Sequence, residues 1–244
     1  MRAIKINYFE KGFNYSQDGP GNRLVYHLCG CNMCCPWCSN PEGMKIGDTC
    51  ITSPVDELYE DIISCKPMFF DGGGVTCTGG ECTLQSKPLC ELINKLREAG
   101  IHTAIESNAS TPDFCDVAAL CDWVIVDFKH PKEKPLLEIG GKLSLIKENI
   151  YAISKQKPLH IRIPLIHGFN DDDIALDGFC EFFNSLKKMG ADFDLELLCY
   201  HEYGKEKWKK LELQYTVENG HIKKETLAKF QNSFLKQNIK LIKT

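Results

Sequence analysis

The sequence predicts an α/β fold in which about six strand–helix units form a partial (β/α)6 barrel. Short apolar runs typical of strands alternate with amphipathic helical segments along most of the chain. This alternation is typical of a parallel sheet with right-handed crossovers. The chain has 244 residues, whereas a closed eight-fold barrel takes about 250 residues and eight such units. A doubly wound open sheet is the alternative architecture.

Four strands and three helices are predicted in the first half of the chain. Ser53 followed by Pro54 marks a helix start with proline at the first helical position. A second helix carries apolar residues at spacings of three and four and ends at Gly100. Thr111 before Pro112 marks a third helix start. The predicted strands are 3–9, 24–28, 75–78 and 102–105, and the predicted helices are 54–65, 86–99 and a segment from 112.

The second half continues the alternation. Apolar residues at helical spacing give 174–189 one buried face, and Gly190 ends that helix. The predicted strands are 123–128, 160–166, 193–198 and 240–242, and the predicted helices are 143–153, 174–189 and 225–235. No repeat, low-complexity tract or long linker interrupts the pattern, so a single domain over 1–244 is expected.

Composition excludes several classes of function. The formal charge is −4 and the isoelectric point about 6.0, which argues against a broad nucleic-acid or anionic-membrane surface. No apolar run approaches the roughly 18 residues of a membrane span, and the N-terminal segment lacks the apolar core of a signal peptide. We therefore expect a cytoplasmic protein, in which the fourteen cysteines are thiols with metal ligands among them.

The segment 29–40 holds five cysteines within ten residues. Cys31, Cys35 and Cys38 have the spacing C-x-x-x-C-x-x-C, and thiolates suit iron–sulfur clusters or zinc. A cubane cluster usually takes four cysteines, so three would leave one iron open to another ligand. With Cys34 the segment also contains two abutting CxxC pairs, which permit a zinc site, although such pairs are normally separated by a longer loop. A redox loop is the third possibility.

Polar residues and glycines follow the predicted strands at the end where parallel α/β folds place their chemistry. Each residue alone is more often a helix cap or a solvated loop residue, but six such positions at one edge indicate a functional site. They are Cys31, Cys35 and Cys38; Gly79, Gly80 and Glu81; Glu106, Ser107 and Asn108; Asp127, Lys129 and His130; Arg162 and His167; and His201.

These residue types suit particular ligand groups. The two adjacent glycines allow a ligand to approach the backbone, and Glu81 behind them can accept hydrogen bonds from an ammonium group. Lys129 and Arg162 can hold a carboxylate, and the arginine can do so through two bonds. The histidine after the sixth strand can stack or hydrogen-bond to a base or sugar. Glu106 and Asp127 can share a hard cation, or form a surface pair.

Six motifs occur in order along most of the chain. They are Asp18-Gly-Pro-Gly-Asn-Arg23; Gly30-Cys31 through Cys38-Ser-Asn-Pro-Glu42; Thr78-Gly-Gly-Glu81; Asp127-Phe-Lys129; Ile161-Arg-Ile-Pro-Leu-Ile-His-Gly-Phe-Asn170; and Leu197-Leu-Cys-Tyr-His-Glu-Tyr-Gly204. The cysteine loop with Thr-Gly-Gly-Glu resembles the radical S-adenosylmethionine (SAM) enzymes. The whole set resembles the glycyl radical enzyme activating enzymes of the pyruvate formate-lyase activase type.

The resemblance implies a radical SAM partial barrel that holds one 4Fe–4S cluster on Cys31, Cys35 and Cys38, with SAM on the fourth iron. One electron would cleave SAM to methionine and a 5′-deoxyadenosyl radical, which would take a hydrogen atom from a backbone glycine of a partner enzyme. The implied SAM contacts are Trp37, Asn40, Gly79, Gly80, Glu81, Lys129, Arg162 and His201. The implied ligands of a monovalent cation, Na⁺ or K⁺, are Glu106, Ser107, Ile125 and Asp127.

The chain departs from the family pattern at four positions. Cys34 stands where arginine is common, and Cys82 and Cys199 stand where proline is usual. None of the three is expected to be a cluster ligand. Glu106 stands where the family often has aspartate. Residues 39–77 contain three cysteines, too few for the two extra clusters of a ferredoxin-like insert.

The expected partners are a glycyl radical enzyme as protein substrate and a flavodoxin or ferredoxin as electron donor, with no nucleic acid and no membrane. The turn before Arg23 is expected to border the opening that admits the partner. Two other functions remain open. A non-catalytic module built on a zinc site explains the cysteines but not the polar residues after the other strands. A radical SAM reaction on a small molecule explains both.

Overall fold

The computed structural model describes residues 3–242 and confirms the predicted α/β fold. The strands are β1 (Lys5–Tyr15), β2 (Asn22–Leu28), β3 (Ile51–Pro54), β4 (Gly74–Gly79), β5 (His102–Ser107), β6 (Trp123–Asp127), β7 (Leu159–Leu165), β8 (Phe193–Cys199) and β9 (Leu241–Ile242). The helices are α1 (Val55–Ser64), α2 (Ser86–Glu98), α3 (Phe114–Leu120), α4 (Glu133–Glu138), α5 (Leu143–Ser154), α6 (Asp173–Lys188), α7 (Lys205–Lys210) and α8 (Lys224–Lys236).

The strand order is β3-β1-β2-β4-β5-β6-β7-β8-β9. The consecutive strands β2, β4, β5, β6, β7 and β8 are each followed along the chain by at least one helix. These are the six predicted strand–helix units. The strands β3 and β9 end the order on either side, so the sheet is not closed and the predicted partial barrel is confirmed.

One compact unit comprises the chain up to Met33 together with Asn40–Ser107 and Thr111–Ile125. In it β2, β4 and β5 run parallel, while β1 is antiparallel to both β2 and β3. Helix α2 lies beside α1 and α3 and buries the apolar stripe that the sequence predicts: Leu89, Leu92, Ile93 and Leu96. Burying one such side chain contributes roughly 1.5–3 kcal/mol.

The sequence prediction placed the turn before Arg23 at the border of the opening that admits the partner, but the turn lies at the amino ends of the strands. Arg23 is fully buried at the amino end of β2, opposite Gly74 at the start of β4. Its guanidinium donates to the hydroxyl of Thr76 at 2.7 Å and lies 3.1 Å from His102 Nδ1 at the start of β5. Burial lowers the pKa of Arg23 to about 10. The arginine therefore joins the amino ends of three strands, whereas the cysteine loop follows the carboxyl end of β2.

The second compact unit comprises Cys34–Ser39, Asn108–Ser110 and the chain from Val126. In it β7 and β8 run parallel, with Leu165 opposite Cys199. Its core is aromatic: Phe128, Phe179, Phe182, Phe183 and Phe234 are all buried and pack ring against ring. This packing holds α6 against Phe128 at the end of β6 and against Phe234 of α8.

Several predicted elements differ in detail. Ser53 and Pro54 do not begin the first helix but end β3, which pairs with β1. β1 continues to Tyr15, beyond the predicted end at residue 9, because its second half pairs with β2. The short helices α4 and α7 were not predicted. Within residues 3–242, no helix is both long and apolar enough to cross a membrane.

Candidate functional site

The glycine pair after β4 lies directly against the start of the cysteine loop. The amide of Gly80 donates to the carbonyl of Leu28 at 2.8 Å, and the amide of Glu81 donates to the carbonyl of Gly30 at 2.7 Å. A side chain at Gly80 would overlap with the Gly30 carbonyl, and Gly79 has a positive φ of 110°. Only glycine fits both positions. The backbone after β2 and the backbone after β4 are therefore held together.

Glu81 is fully buried and already bonded. Its Oε1 accepts from the amide of Thr83 at 3.1 Å and from the Ser107 hydroxyl at 2.7 Å. Ser107, a predicted cation ligand, thus orients Glu81. Glu106, the second predicted cation ligand, accepts from the Thr78 hydroxyl at 3.2 Å. Ile125 is buried within β6.

The cysteine loop is fixed by its own backbone. Cys31 is half-buried, and the amide of Met33 donates to its sulfur at 3.4 Å. Cys35 is buried and Cys38 half-buried, and the Cys38 amide donates to the Cys35 carbonyl at 3.1 Å. The exposed Cys34 is held by its amide, which donates to the carbonyl of Ile139 at 2.8 Å.

The three thiols are ligands of the type that iron–sulfur clusters take, and the hydrogen bond to the Cys31 sulfur is a contact of the kind that tunes such clusters. In residues 3–242, no three His, Cys, Asp or Glu side chains are already gathered as a metal site. Metal sites commonly take their final geometry only on binding. Asn40 follows the loop, is half-buried, and accepts from the amide of Gly43 through its carbonyl at 3.0 Å.

The expectation that all cysteines remain thiols is wrong for one pair. Cys29 and Cys50 form a disulfide, which fastens the segment after the cysteine loop to the end of β2. The sequence did not indicate this pairing, because the two residues are 21 positions apart and neither lies in a disulfide spacing pattern.

In the second unit, Lys129 lies beside Asp127 at the end of β6. The ammonium group of Lys129 is 2.9 Å from Asp127 Oδ2. The Asn170 side chain donates to the Lys129 carbonyl at 2.8 Å, and the amide of Phe128 donates to the Arg162 carbonyl at 2.9 Å. The predicted residues Asp127, Lys129 and Arg162 therefore lie close together. The carboxylate of Asp127 forms an ion pair with Lys129.

Arg162 belongs to a buried chain of charges that sequence analysis missed. Its Nε donates to Glu196 Oε2 at 2.7 Å, and the same oxygen lies 3.0 Å from His160 Nε2. His160 Nδ1 lies 2.5 Å from Asp194 Oδ1, and Lys240 is 3.2 Å from the other Asp194 oxygen. Glu196 is 2 % exposed and Arg162 7 %. The arrangement holds the guanidinium in one orientation.

The pKa of His160 reflects this environment. Burial disfavours the charged imidazolium, but the hydrogen bonds to Asp194 and Glu196 outweigh burial and raise the pKa of His160 above its ordinary value of 6.5. The pKa of Asp194 is lowered: burial opposes this, and the bonds from His160 and Lys240 prevail. The His160 ring therefore links two carboxylates that favour its protonated form.

His201 and Trp37 are the two predicted SAM contacts with aromatic rings, and they lie in different surroundings. His201 stacks on the exposed Tyr203 with ring centroids 4.2 Å apart, and burial lowers the pKa of His201. It is thus a neutral ring at pH 7. Trp37 packs on Phe169 at 4.5 Å, which in turn contacts His130. A pocket of about 500 Å³ lies beside Trp37. Its lining is Pro36, Trp37, 166–169 and 216–219.

The two cysteines that replace prolines lie in different environments. Cys82 is fully buried, donates to the Glu106 carbonyl at 3.5 Å, and has a pKa raised by burial. A protonated thiol of this kind is a poor metal ligand. Cys199 is exposed at the end of β8.

Comparisons with known proteins agree with this geometry. The sequence model of the Radical SAM superfamily matches residues 25–177. The chain is 34 % identical over 213 residues to the pyruvate formate-lyase-activating enzyme of Staphylococcus epidermidis, covering 83 % of this chain and 84 % of that one. The enzyme of that name from Staphylococcus aureus matches equally, at 34 % over the same shares.

Two solved structures share the fold. A domain of a pyruvate-formate lyase-activating enzyme from Bacteroides vulgatus superposes with a TM-score of 0.57 at 24 % identity, over 71 % of this chain and 99 % of that one. A radical SAM methyltransferase from Sphaerobacter thermophilus superposes with a TM-score of 0.60 at 13 % identity, over 96 % and 72 %. The chain therefore belongs to the radical SAM superfamily and, within it, to the family of the pyruvate formate-lyase-activating enzymes.

Proposed function

We propose that this protein activates a glycyl radical enzyme similar to pyruvate formate-lyase. The protein would accept one electron and use it to split SAM into methionine and a 5′-deoxyadenosyl radical. That radical would remove a hydrogen atom from a backbone glycine of the partner. Family membership carries this proposal. It is supported by the glycine pair that the structure holds against the start of the cysteine loop.

Membership of the superfamily implies a 4Fe–4S cluster and SAM as cofactors. We assign the cluster to Cys31, Cys35 and Cys38, with Cys34, Cys82 and Cys199 outside it. When bound there, the cluster would supply the electron for SAM cleavage. The hydrogen bond from Met33 to the Cys31 sulfur supports the assignment of Cys31.

We assign SAM recognition to the residues that the resemblance implies. Gly79, Gly80 and Glu81 would receive the amino group through backbone and carboxylate oxygens, and Lys129 and Arg162 would hold the carboxylate. The neutral ring of His201 suits the nucleoside. Trp37 and Asn40 would line the remainder of the ligand.

A monovalent cation near the SAM carboxylate is a further part of the proposal, with Glu106, Ser107, Ile125 and Asp127 as ligands. It requires Asp127 to exchange Lys129 for the cation. Dependence of SAM affinity on Na⁺ or K⁺ at constant ionic strength tests it, and an affinity that is the same in choline chloride would contradict it.

We further propose that residues 1–244 form one radical SAM domain without a ferredoxin-like insert, acting in the cytoplasm with a flavodoxin or ferredoxin as electron donor. The glycyl radical enzyme is a protein substrate that presents a glycine loop. An exposed loop must be ordered on entry, so the association should be transient.

Anaerobic incubation of the reduced protein with SAM and a pyruvate formate-lyase tests the central proposal. Electron paramagnetic resonance should detect a glycyl radical doublet on the partner, with stoichiometric 5′-deoxyadenosine. The matched control is a partner whose target glycine is replaced by alanine, which should give no doublet. Consumption of SAM with a modified small metabolite, and no radical on the partner, would favour a small-molecule reaction instead.

Within this protein, Cys34→Ser and Cys35→Ala form a matched pair in the same loop. The first should retain iron and the second should lose it. The opposite outcome would overturn the assignment of the cluster ligands.

A further inference from the structure

Helix α7 forms a basic surface on a protein of net negative charge. Its six residues contain four lysines and one glutamate, whereas the whole chain carries −4. Lys205, Lys209 and Lys210 are exposed, and Tyr203, just before the helix, is 81 % exposed. We call these four residues the α7 surface. Lys205 pairs with Glu202 at 3.2 Å, and Glu206 lies within the helix. The net positive charge of this surface therefore comes from Lys209 and Lys210, which create a local positive potential.

The helix is attached to the last cysteine of the loop. The indole of Trp208, on the buried side of α7, donates to the Cys38 carbonyl at 2.8 Å. Gly204, which precedes the helix, packs so closely that any side chain there would overlap with the same carbonyl oxygen. Two contacts on one oxygen fix the α7 surface relative to Cys38.

We propose that the α7 surface is the docking site of an acidic protein that carries single electrons. The inference rests on the proposed function, because it requires a reducible cluster on Cys38. Each SAM cleavage consumes one electron, so the carrier is oxidised by one electron as SAM is reduced by one. Electron transfer slows steeply with distance, so the carrier must dock close to the cysteine loop.

Charge and surface chemistry indicate the nature of this partner. A positive patch beside the point of electron entry steers a negatively charged carrier and raises its association rate. The exposed ring of Tyr203 adds an aromatic contact of the kind enriched in protein interfaces. A neutral or basic carrier would gain nothing from the lysines of this surface.

Charge reversal with two alternative reductants tests the proposal. The variant K205E/K209E/K210E is compared with K188E/K224E/K236E, which makes the same change of charge at exposed lysines of α6 and α8 in the same compact unit. Both variants and the unmodified holoenzyme are supplied with either reduced flavodoxin or dithionite. The readouts are the rate of 5′-deoxyadenosine formation and the glycyl radical yield on the partner.

With flavodoxin at low ionic strength, the α7 variant should be slower by about tenfold or more, and the control variant should match the unmodified protein. With dithionite all three should be equal, because the small reductant does not need the docking site. Added salt should slow the unmodified protein with flavodoxin, since steering is screened.

Three outcomes would overturn the inference. The first is an unchanged flavodoxin rate in the α7 variant. The second is a loss of radical yield with intact SAM cleavage under dithionite, which would assign the surface to the glycyl radical enzyme. The third is a loss of SAM cleavage with dithionite in the α7 variant that also occurs in the neutral variant K205Q/K209Q/K210Q, which would show that the lysines support SAM cleavage itself. Failure of the unmodified protein to cleave SAM with dithionite would instead refute the proposed function.

Discussion

The guanidinium of Arg162 is oriented by Glu196, whose Oε2 it meets at 2.7 Å inside the protein. A charged hydrogen bond of this kind is worth about 1.5–3 kcal/mol. Glu196→Gln removes the charge with little change of shape, and Arg162 then loses the partner that fixes it. We expect SAM affinity to fall by about tenfold or more, measured by anaerobic equilibrium binding of SAM.

Glu148→Gln, on the exposed side of α5, is the matched control and should bind SAM as the unmodified protein does. The hypothesis that Glu196 positions Arg162 fails if Arg162→Ala weakens SAM binding but Glu196→Gln does not.

His160 makes the stability of the protein depend on pH. Its pKa is raised in the folded protein by Asp194 and Glu196, against the effect of burial. The stabilisation is therefore complete below the ordinary pKa of 6.5 and is lost as pH rises through the raised value. His160→Gln should reduce the free energy of unfolding more at about pH 6 than at about pH 9, since each unit of pKa shift is worth about 1.4 kcal/mol.

Urea unfolding at the two pH values measures this difference. His221→Gln, at an exposed histidine, is the control variant and is measured in parallel. An equal loss at both pH values in His160→Gln would mean that His160 acts through packing alone.

Some of these residues were visible in the sequence and others were not. The cysteine spacing and the Gly79–Gly80 pair are local patterns, so the sequence sufficed to identify them. Glu196 was missed because its partner lies 34 positions away, and only the register of β7 with β8 brings them together. The sequence did contain a signal for this contact. His160 and Arg162 alternate with apolar residues in β7, as Asp194 and Glu196 do in β8, which places each pair on one face of its strand.

At the scale of elements, α7 depends on the absence of a side chain at Gly204. Gly204→Ala would force a methyl group into the Cys38 carbonyl. Overpacking of this kind costs about 1–3 kcal/mol, so we expect lower thermal stability and faster loss of iron from the cysteine loop. Thermal unfolding and iron retention under a chelator measure the two effects.

The control for this change is Gly12→Ala on β1, where an added side chain meets nothing within 4 Å. It should leave iron retention unchanged. Equal iron retention in Gly204→Ala and the unmodified protein would contradict a supporting role of α7 at Cys38.

Elements with a periodic apolar face were predicted well, and short elements were not. Helices α2 and α6 show the helical spacing over three or more turns. Helix α7 has six residues and one buried side chain, Trp208, so no period is visible. β3 has four residues and exists because β1 offers it an edge. Tertiary pairing decided these elements, and local sequence did not.

For the whole molecule, the distribution of cysteines determines how much iron the protein can hold. Cys29, at the start of the loop, is joined to Cys50 in a disulfide. Burial raises the pKa of Cys77 to about 12 and that of Cys82 well above its ordinary value. Buried protonated thiols are inert towards metals. The remaining cysteines outside the loop do not form a second set with cluster spacing.

We therefore expect one cubane, with about four iron and four sulfide per chain after anaerobic reconstitution. Iron and sulfide analysis together with Mössbauer spectroscopy measures both the amount and the cluster type. Cys77→Ala is the control at a buried thiol and should give the same iron content. Cys38→Ala should lose the cubane, because two thiolates then remain of the proposed three. A content near eight irons that survives Cys38→Ala would place a cluster elsewhere in the chain and contradict the single-cluster assignment.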